Sequence, residues 1–454
     1  MSTTTEQAAA PARTGGSWLG RWEPEDAGFW AATGKARAWL TLTITTFNLT
    51  LAFIVWFLVS ALVVRLPGLG FQLSNGQLFW LAAMPGLAGG TLRIIHTFLT
   101  PMLGTRHVVA FSTLSLLLPA LGWFYAVQDN TTPYWVLMAL AFATGLGGGN
   151  FSSFMPSTSL FFPKRLQGTA LAIQAGIGNF GVSVVQFVTP WIIGFALADG
   201  LLGEGQVFRA GATTRTLWLQ NALAIYIPLI LLGGLLAWAV LKSVPVRANF
   251  REQLDIFKLK HALIMTVLYI MTFGIFSGLA GVFPLLIRQC YGSLAGAPDP
   301  LAYAFLGPLV GSLARVVGGP LSDRFGGAKV TQVAGLGMLA STIAVPFFTA
   351  PTSMEQFPYF LGAMLCLFMF AGFGNASTFK QMPMLFPPRQ AAGVIGWTAA
   401  MAAYGPLACA LLIGQSVAFF GSPNAFFWWC AVYFSVSIAL NWWFYARRNA
   451  PNPC

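Results

Sequence analysis

Long apolar segments alternate with shorter polar ones from residue 38 almost to the end of the chain. Segments long enough to cross roughly 30 Å of hydrocarbon as helices recur about twelve times. Several exceed the ~20 residues that one crossing requires, so tilted or bent helices are expected. The pattern predicts an all-α polytopic membrane protein, with spans near 38–64, 77–100, 107–128, 133–162, 167–197, 218–241, 261–287, 301–321, 328–350, 358–386, 391–419 and 425–445.

The composition indicates that lipid is the solvent of this chain. Of its 454 residues, 56% are hydrophobic and only 8% are charged, whereas a soluble domain carries about 25% charged residues. Residues 1–37 are polar and contain no apolar leader. The five cysteines have no C-x-x-C spacing, so no metal, no cofactor and no disulfide framework are expected.

The basic residues explain the net charge of +12. If the N-terminus is inside, most lysines and arginines fall in cytoplasmic segments, and the opposite face holds only Arg65, Arg209, Arg215 and Arg288. This positive-inside asymmetry predicts a multi-pass protein of the bacterial inner (plasma) membrane with both termini cytoplasmic. The charge therefore reflects topology, and no nucleic-acid partner is expected.

Three cations, Arg93, Arg315 and Lys380, fall inside predicted spans, whereas all twelve acidic residues fall outside them. Arginine stays protonated at any relevant pH, and an ionisable residue within the membrane is by default a functional candidate. Backbone carbonyls could satisfy part of each guanidinium, but Arg93 and Arg315 lack a protein counter-ion in this pattern. An exchangeable small anion is the simplest partner for them.

A repeat relates the two parts of the chain on either side of the charged loop 242–260. Equivalent positions carry the same residue types, namely Arg93 and Arg315, Gly104 and Gly326, Asn150 and Asn375, and Gly168 and Gly393. A period of about 225 residues is too long for a solenoid and fits two parallel bundles with a site between them near the midplane. The predicted organisation is an N-terminal segment 1–37, a six-helix bundle 38–241, a middle loop 242–260, a second six-helix bundle 261–445 and a tail 446–454.

A short motif follows the eighth predicted span: Gly319, Asp323, Arg324 and Gly326 lie at G-x-x-x-D-R-x-G spacing. It resembles the signature of the major facilitator superfamily, in which the Asp and Arg form a cytoplasmic gating latch. The resemblance implies that fold, with twelve helices in two pseudo-symmetric bundles. The equivalent N-terminal loop keeps Gly104 but lacks the Asp.

Two glycine-rich stretches, GLGGGNFSSFMPSTSLFFP at 145–163 and GFGNASTFKQMPMLFP at 372–387, repeat each other. With AIQAGIGNFGVS at 172–183 and WEPEDAGFW at 22–30, they resemble the nitrate/nitrite porter family. Small residues let helices approach closely in lipid. We therefore expect most of the signature glycines to pack or permit rocking, and a few could contact the anion: Gly145, Gly147, Gly148, Gly149, Gly176, Gly178, Gly372 and Gly374.

The resemblance also implies a substrate site. Arg93 and Arg315 match the family's two substrate-binding arginines, and nitrate's planar oxygens suit a guanidinium fork. Phe151 and Phe273 match aromatic residues that sandwich the anion, and Tyr269 matches a hydroxyl donor. Tyr269 and Phe273 are four residues apart and share a helix face. From sequence alone, these phenylalanines could equally be packing residues.

Further polar residues inside the spans leave two interpretations open. Asn150, Asn179 and Asn375 could form interhelical hydrogen bonds or line the pathway. His96 departs from the aromatic residue of many relatives; it could titrate near neutral pH or simply be hydrogen-bonded in a helix interface. Lys380 could release a proton in a buried site or snorkel to the cytoplasmic interface.

The sequence therefore predicts a secondary active transporter, functional as a monomer, that moves nitrate and/or nitrite by alternating access. We place nitrate–proton symport ahead of nitrate/nitrite antiport, with Lys380 and His96 as possible coupling residues. Transport of another small or organic anion and nitrate sensing are further alternatives. An enzyme is not expected, because no nucleophile–base pair or phosphate-cradling loop is evident.

Overall fold

The computed structural model describes residues 16–197, 200–210, 213–245, 256 and 258–454, and this part of the chain is mostly helical. The first six spans are α1 (Ala27–Leu62), α2 (75–103), α3 (105–114 with Leu117–Ala126), α4 (Tyr134–Gly149 with Phe151–Ser159), α5 (Lys164–Ile192) and α6 (Asn221–Val240). The last six are α7 (Lys260–Tyr291), α8 (Pro300–Phe325), α9 (Gly327–Phe348), α10 (Met354–Leu385), α11 (Pro388–Ala402 with Gly405–Phe420) and α12 (Asn424–Ala446). We call α1–α6 the first half and α7–α12 the second half.

Eleven helices in the described residues are long and apolar enough to cross a membrane. The remaining predicted span, 133–162, is present as two consecutive helices separated at Asn150. Asn150 itself keeps right-handed helical angles, and its carbonyl still accepts from Phe154 N at 2.9 Å. Three successive glycines, which favour helix poorly, precede the interruption.

The first helix begins earlier than predicted. It starts at Ala27 rather than near residue 38, because the Asp26 carboxylate caps it by accepting from Phe29 N at 2.6 Å. Its first turns include a π-helical segment, Trp30–Gly34. Of the middle loop 242–260, residues 246–255 and 257 lie outside the described residues, and Lys260 already begins α7.

The two repeat-related glycines adopt the same unusual backbone conformation. Gly104 has φ 78° and ψ 160°, and Gly326 has φ 91° and ψ 139°. Positive φ is strained for residues with a Cβ. Glycine at each position therefore lets one helix end and the next begin immediately, which separates α2 from α3 and α8 from α9.

Both described termini pack at one end of the molecule, which we call the proximal end. Trp22 Nε1 donates to Leu160 O at 3.0 Å beside the end of α4. At the start of α9, Ala328 N donates to Cys454 O at 3.0 Å. We call the opposite end, where α1 ends and α8 begins, the distal end.

The distal end carries a hairpin that the hydropathy pattern does not predict. Strands β1 (Gln206–Ala210) and β2 (Thr213–Leu217) pair antiparallel between α5 and α6, with Phe208 opposite Arg215. Phe208 packs closely on Gly68, where an added Cβ would lie 2.3 Å from its ring. The hairpin therefore covers the turn that follows α1.

Candidate anion-binding site

Arg93 lies fully buried between the two halves. Its Nε donates to Gly148 O of α4 at 2.9 Å, and its Nη1 donates to Ala399 O of α11 at 2.8 Å. The buried Nη2 atom has no hydrogen-bond partner among the described residues. Two carbonyls thus fix the guanidinium plane and leave one nitrogen with donors for a ligand.

Arg315, the repeat-related arginine in α8, is only 7% exposed. Its Nη1 atom is also buried without a hydrogen-bond partner among the described residues. Its Cζ lies 5.5 Å from the ring centre of Phe379 and 6.0 Å from that of Phe273. None of the ion pairs formed by the described residues involves Arg93 or Arg315. Neither guanidinium therefore pairs with a carboxylate of the described residues.

Phe151 of the first half and Phe273 of the second half face each other. Their ring centres are 6.4 Å apart and their planes differ by 26°. A flat group in contact with both rings needs a separation of about 7 Å, so a small ring movement would admit one. Arg93 Cζ lies 4.6 Å from the Phe151 centre and 5.2 Å from the Phe273 centre, beside this gap rather than within it.

Tyr269 extends the aromatic wall on the second half. Its ring stacks on Phe273 with centres 5.4 Å apart and planes 9° apart, so the two residues share a face as predicted. The buried hydroxyl lies close to the Arg315 guanidinium, although no hydrogen bond of ordinary geometry joins it to any of the described residues. Phe273 lies in the π-helical turn Ile270–Gly274, which directly follows Tyr269. Such turns are frequent at functional sites.

The three asparagines share one property. Asn150, Asn179 and Asn375 are buried, and both amide atoms of each lack a hydrogen-bond partner among the described residues. Buried polar groups are normally paired. These amides do not form the interhelical hydrogen bonds that were one interpretation, which leaves them available to the pathway.

The structure corrects the expected burial of Lys380. Its side chain is 42% exposed, and its Nζ lies 2.5 Å from Asp323 Oδ1 of the G-x-x-x-D-R-x-G motif. A long side chain near the proximal end of α10 can reach the carboxylate at the end of α8. Snorkelling is therefore the interpretation that fits, and Lys380 is not a third buried cation.

His96 lies one turn from Arg93 on α2. Its Nδ1 is 2.9 Å from Ser153 Oγ of α4, and that hydroxyl also donates to Asn150 O at 3.2 Å. This contact fits one of the two interpretations of His96 from the sequence, a histidine that is hydrogen-bonded in a helix interface. The contact links His96 to the backbone of a candidate pathway residue.

The motif residues themselves lie at the proximal end. Asp323 and Arg324 are exposed, and Arg324 Cζ lies 5.2 Å from the Phe325 ring centre. A Cβ added to Gly319 would meet nothing within 4 Å. Within the described residues, the Asp323–Lys380 pair joins α8 to α10 inside the second half rather than joining the two halves.

The signature glycines are sites of close helix packing. A Cβ at every one of the eight would come within 3 Å of a neighbouring atom: Gly145, Gly147, Gly148, Gly149, Gly176, Gly178, Gly372 and Gly374. At Gly147 and Gly372 the neighbour is a backbone oxygen at 2.1 Å, Ala52 O and Gly311 O respectively. The packing interpretation therefore accounts for this set.

Several residues around the arginines were not identified from sequence. Trp56 lies with its ring centre 5.1 Å from Arg93 Cζ, and Phe379 lies beside both Arg315 and Tyr269. The carbonyls of Gly148 and Ala399 also belong to the site. Phe379 lies four residues after Asn375 and therefore shares a helix face with it, which could have identified it from the sequence. The carbonyl acceptors could not be identified in this way, because every residue has a backbone carbonyl.

Known proteins resemble this chain along most of its length. Residues 41–379 match the Major Facilitator Superfamily model. The chain is 64% identical to the probable nitrate/nitrite antiporter NarK2 of Thermus thermophilus, covering 97% of this chain and 99% of that protein. It is 34% identical to the nitrate/nitrite transporter NarU of Escherichia coli (strain K12), covering 94% and 96% respectively.

Solved structures share the fold at low sequence identity. A bacterial homologue of the human lysosomal transporter Spinster superposes with a TM-score of 0.65 at 14% identity, covering 89% of this chain and 96% of that chain. The nucleoside transporter NupG gives a TM-score of 0.60 at 13% identity, covering 88% and 98%. With its long apolar helices, the protein is a multi-pass membrane protein. It belongs to the major facilitator superfamily and, within it, to the nitrate/nitrite porter family.

Proposed function

We propose that this protein transports nitrate and nitrite by alternating access around Arg93 and Arg315. The observation that carries the proposal is the pair of buried guanidiniums beside a narrow gap between two facing rings, where each guanidinium has one nitrogen without a hydrogen-bond partner among the described residues. A planar oxyanion can accept hydrogen bonds from both cations in its own plane while the rings cover its faces. The names of the two relatives described above, a probable nitrate/nitrite antiporter and a nitrate/nitrite transporter, support the same substrates.

The proposed site comprises residues from both halves. Arg93, Phe151, Asn150 and Asn179 come from the first half, and Arg315, Tyr269, Phe273 and Asn375 come from the second. Residues 38–241 and 261–445 would form the two bodies that rock against each other. The first body would begin at Ala27, where α1 starts. The protein would work as a monomer and as a transporter rather than an enzyme, in the inner membrane with both termini in the cytoplasm.

Exchange of nitrate for nitrite follows from the electrostatics of an empty site. Two buried cations without a carboxylate repel each other in a medium of low dielectric, so an anion that neutralises them favours closure. The unloaded protein would therefore cross between its two states slowly. The ion-paired, partly exposed Lys380 and the hydrogen-bonded His96 give no separate support to a buried proton carrier. We therefore favour antiport, with nitrate–proton symport as the second candidate.

Counterflow in proteoliposomes tests both substrate and coupling. We expect labelled nitrate to enter vesicles that contain nitrite, and to enter poorly when the lumen lacks a permeant anion. Imposing a pH gradient without internal nitrite should not restore uptake. Uptake driven by the pH gradient alone would contradict antiport and support nitrate–proton symport. If neither nitrate nor nitrite supports counterflow, the proposed substrates are wrong.

Tyr269→Phe tests the hydroxyl donor without disturbing the ring. The phenyl ring can keep its stacking on Phe273, but the anion loses one hydrogen bond. A hydrogen bond to a charged group contributes about 1.5–3 kcal/mol, so KM for nitrate should rise about 10-fold or more. Uptake against nitrate concentration measures this change. Tyr433→Phe is the control, because that hydroxyl donates to Val267 O at 2.7 Å and lies outside the proposed site; equal KM values for the two variants would remove Tyr269 from the site.

A further inference from the structure

A cluster of charged residues lies at the distal end, away from the site described above. Arg65 follows α1, Asp299 precedes α8, and Arg215 is on β2 of the hairpin. Arg65 Nη2 donates to Asp299 Oδ1 at 2.8 Å and to Oδ2 at 2.7 Å. Arg215 Nη2 lies 3.9 Å from the same Oδ2. One carboxylate of the second half is thus held by two arginines of the first half.

This ion pair is not an ordinary surface contact. The side chains of Arg65 and Asp299 are 5% and 35% exposed. Pairs that are partly buried and well aligned contribute more than exposed ones. Phe208 lies beneath both arginines, with Cζ-to-centre distances of 5.6 Å for Arg65 and 5.4 Å for Arg215. The aromatic ring and the hairpin therefore hold the arginines in position.

Other contacts between the halves surround this cluster. Gln186 of α5 donates from Nε2 to Ala280 O of α7 at 2.8 Å. Asn75 Nδ2 donates to Gln289 Oε1 at 2.7 Å, and the rings of Phe187 and Phe305 have centres 4.9 Å apart. The distal end is therefore closed by polar and aromatic contacts that join α1, α2 and α5 to α7 and α8.

The proximal end differs. Among the described residues, its ion pairs stay within one half: Arg21 pairs with Glu23 in the first half, and Lys380 pairs with Asp323 in the second. The ion pairs that join the two halves in this part of the chain therefore lie at the distal end. Opening the distal end in an alternating-access cycle requires Asp299 to leave Arg65.

We propose that Asp299 is a tethered anion that closes a distal gate by occupying a two-arginine cradle formed by Arg65, Arg215 and Phe208. The cradle has the same chemistry as the central site, where two guanidiniums lie beside aromatic rings. Neutralising the carboxylate removes the attraction that holds the halves together at this end and exposes both arginines. The inference rests on the alternating-access part of the proposed function and needs no assumption about which anion is carried.

Distances between spin labels test the gate. Thr131→Cys and Ser353→Cys place one label on each half at the distal end, and Arg165→Cys and Lys329→Cys do so at the proximal end. The five native cysteines are first replaced by alanine. In this background, Asp299→Ser keeps a side-chain oxygen to cap α8 and removes the charge. We expect the distal distance to lengthen by several ångström and the proximal distance to shorten, without added substrate.

Two further variants serve as comparison and control. Arg215→Gln should shift both distances in the same directions but less, because its contact with Asp299 is longer. Arg209→Gln removes an arginine from the same hairpin that forms no ion pair among the described residues, and it should change neither distance. The double variant Arg65→Gln with Asp299→Ser should shift no further than Asp299→Ser alone.

Unchanged distances in folded Asp299→Ser protein would overturn the proposal. So would lengthening at both ends, since that indicates general loosening rather than gating. Because the readout needs no transport, a protein that gates normally but carries neither nitrate nor nitrite would contradict the proposed function and leave the gate intact.

Discussion

Arg93→Lys and Arg315→Lys should each reduce nitrate uptake about 10-fold or more. Lysine keeps the charge but presents a single ammonium on a flexible stem, whereas the Arg93 guanidinium bonds two carbonyls and still leaves Nη2 for the anion. Losing one or two charge-assisted hydrogen bonds costs about 1.5–3 kcal/mol each, which corresponds to factors of about 10 to 100 per bond. Initial rates of labelled nitrate counterflow give the measurement.

Arg209→Lys is the matched control for these substitutions. It makes the same chemical change at an exposed position of the hairpin and should leave uptake unchanged. Thermal unfolding of each purified variant distinguishes loss of binding from loss of folding. Uptake at the normal rate by either lysine variant would contradict the idea that planar guanidinium geometry selects the anion.

Much of this site could be located from sequence because its cations are chemically conspicuous. Arg93 and Arg315 stand out in apolar spans without acidic partners, and the repeat identifies them as a pair. Lys380 shows where this reasoning fails. Its position within an apolar run says nothing of how far the side chain reaches, and the carboxylate of Asp323 lies within that reach.

The features that the sequence did not predict were missed for physical reasons. The start of α1 was missed because Lys35 and Arg37 interrupt the apolar pattern, although Asp26 supplies a cap. The hairpin 206–217 is too short and polar to stand out beside membrane spans. Trp56 could not be distinguished from the many aromatic residues that only pack, and the one signal for Phe379 was its four-residue spacing from Asn375. Contacts between the halves, such as Arg65 with Asp299, join residues 234 positions apart that no local pattern connects.

Gly372→Ala should destabilise the fold strongly. The added methyl group would lie 2.1 Å from Gly311 O, and because this neighbour is backbone, it cannot rotate away. Overpacking a close-packed interior typically costs about 1–3 kcal/mol and occasionally more, and here α8 and α10 would have to separate. We expect a lower unfolding temperature, a reduced yield of folded protein, and transport lost in proportion.

Gly147→Ala makes the same change at the repeat-related position and should have a similar effect, since Ala52 O lies 2.1 Å from the new Cβ. Gly362→Ala is the control within α10, because a Cβ there would meet nothing within 4 Å. Alanine favours helix over glycine by about 1 kcal/mol, so this variant should be neutral or slightly stabilised. If Gly372→Ala were as stable as Gly362→Ala, close packing would not explain the signature glycines, and direct contact with the anion would become the better account of them.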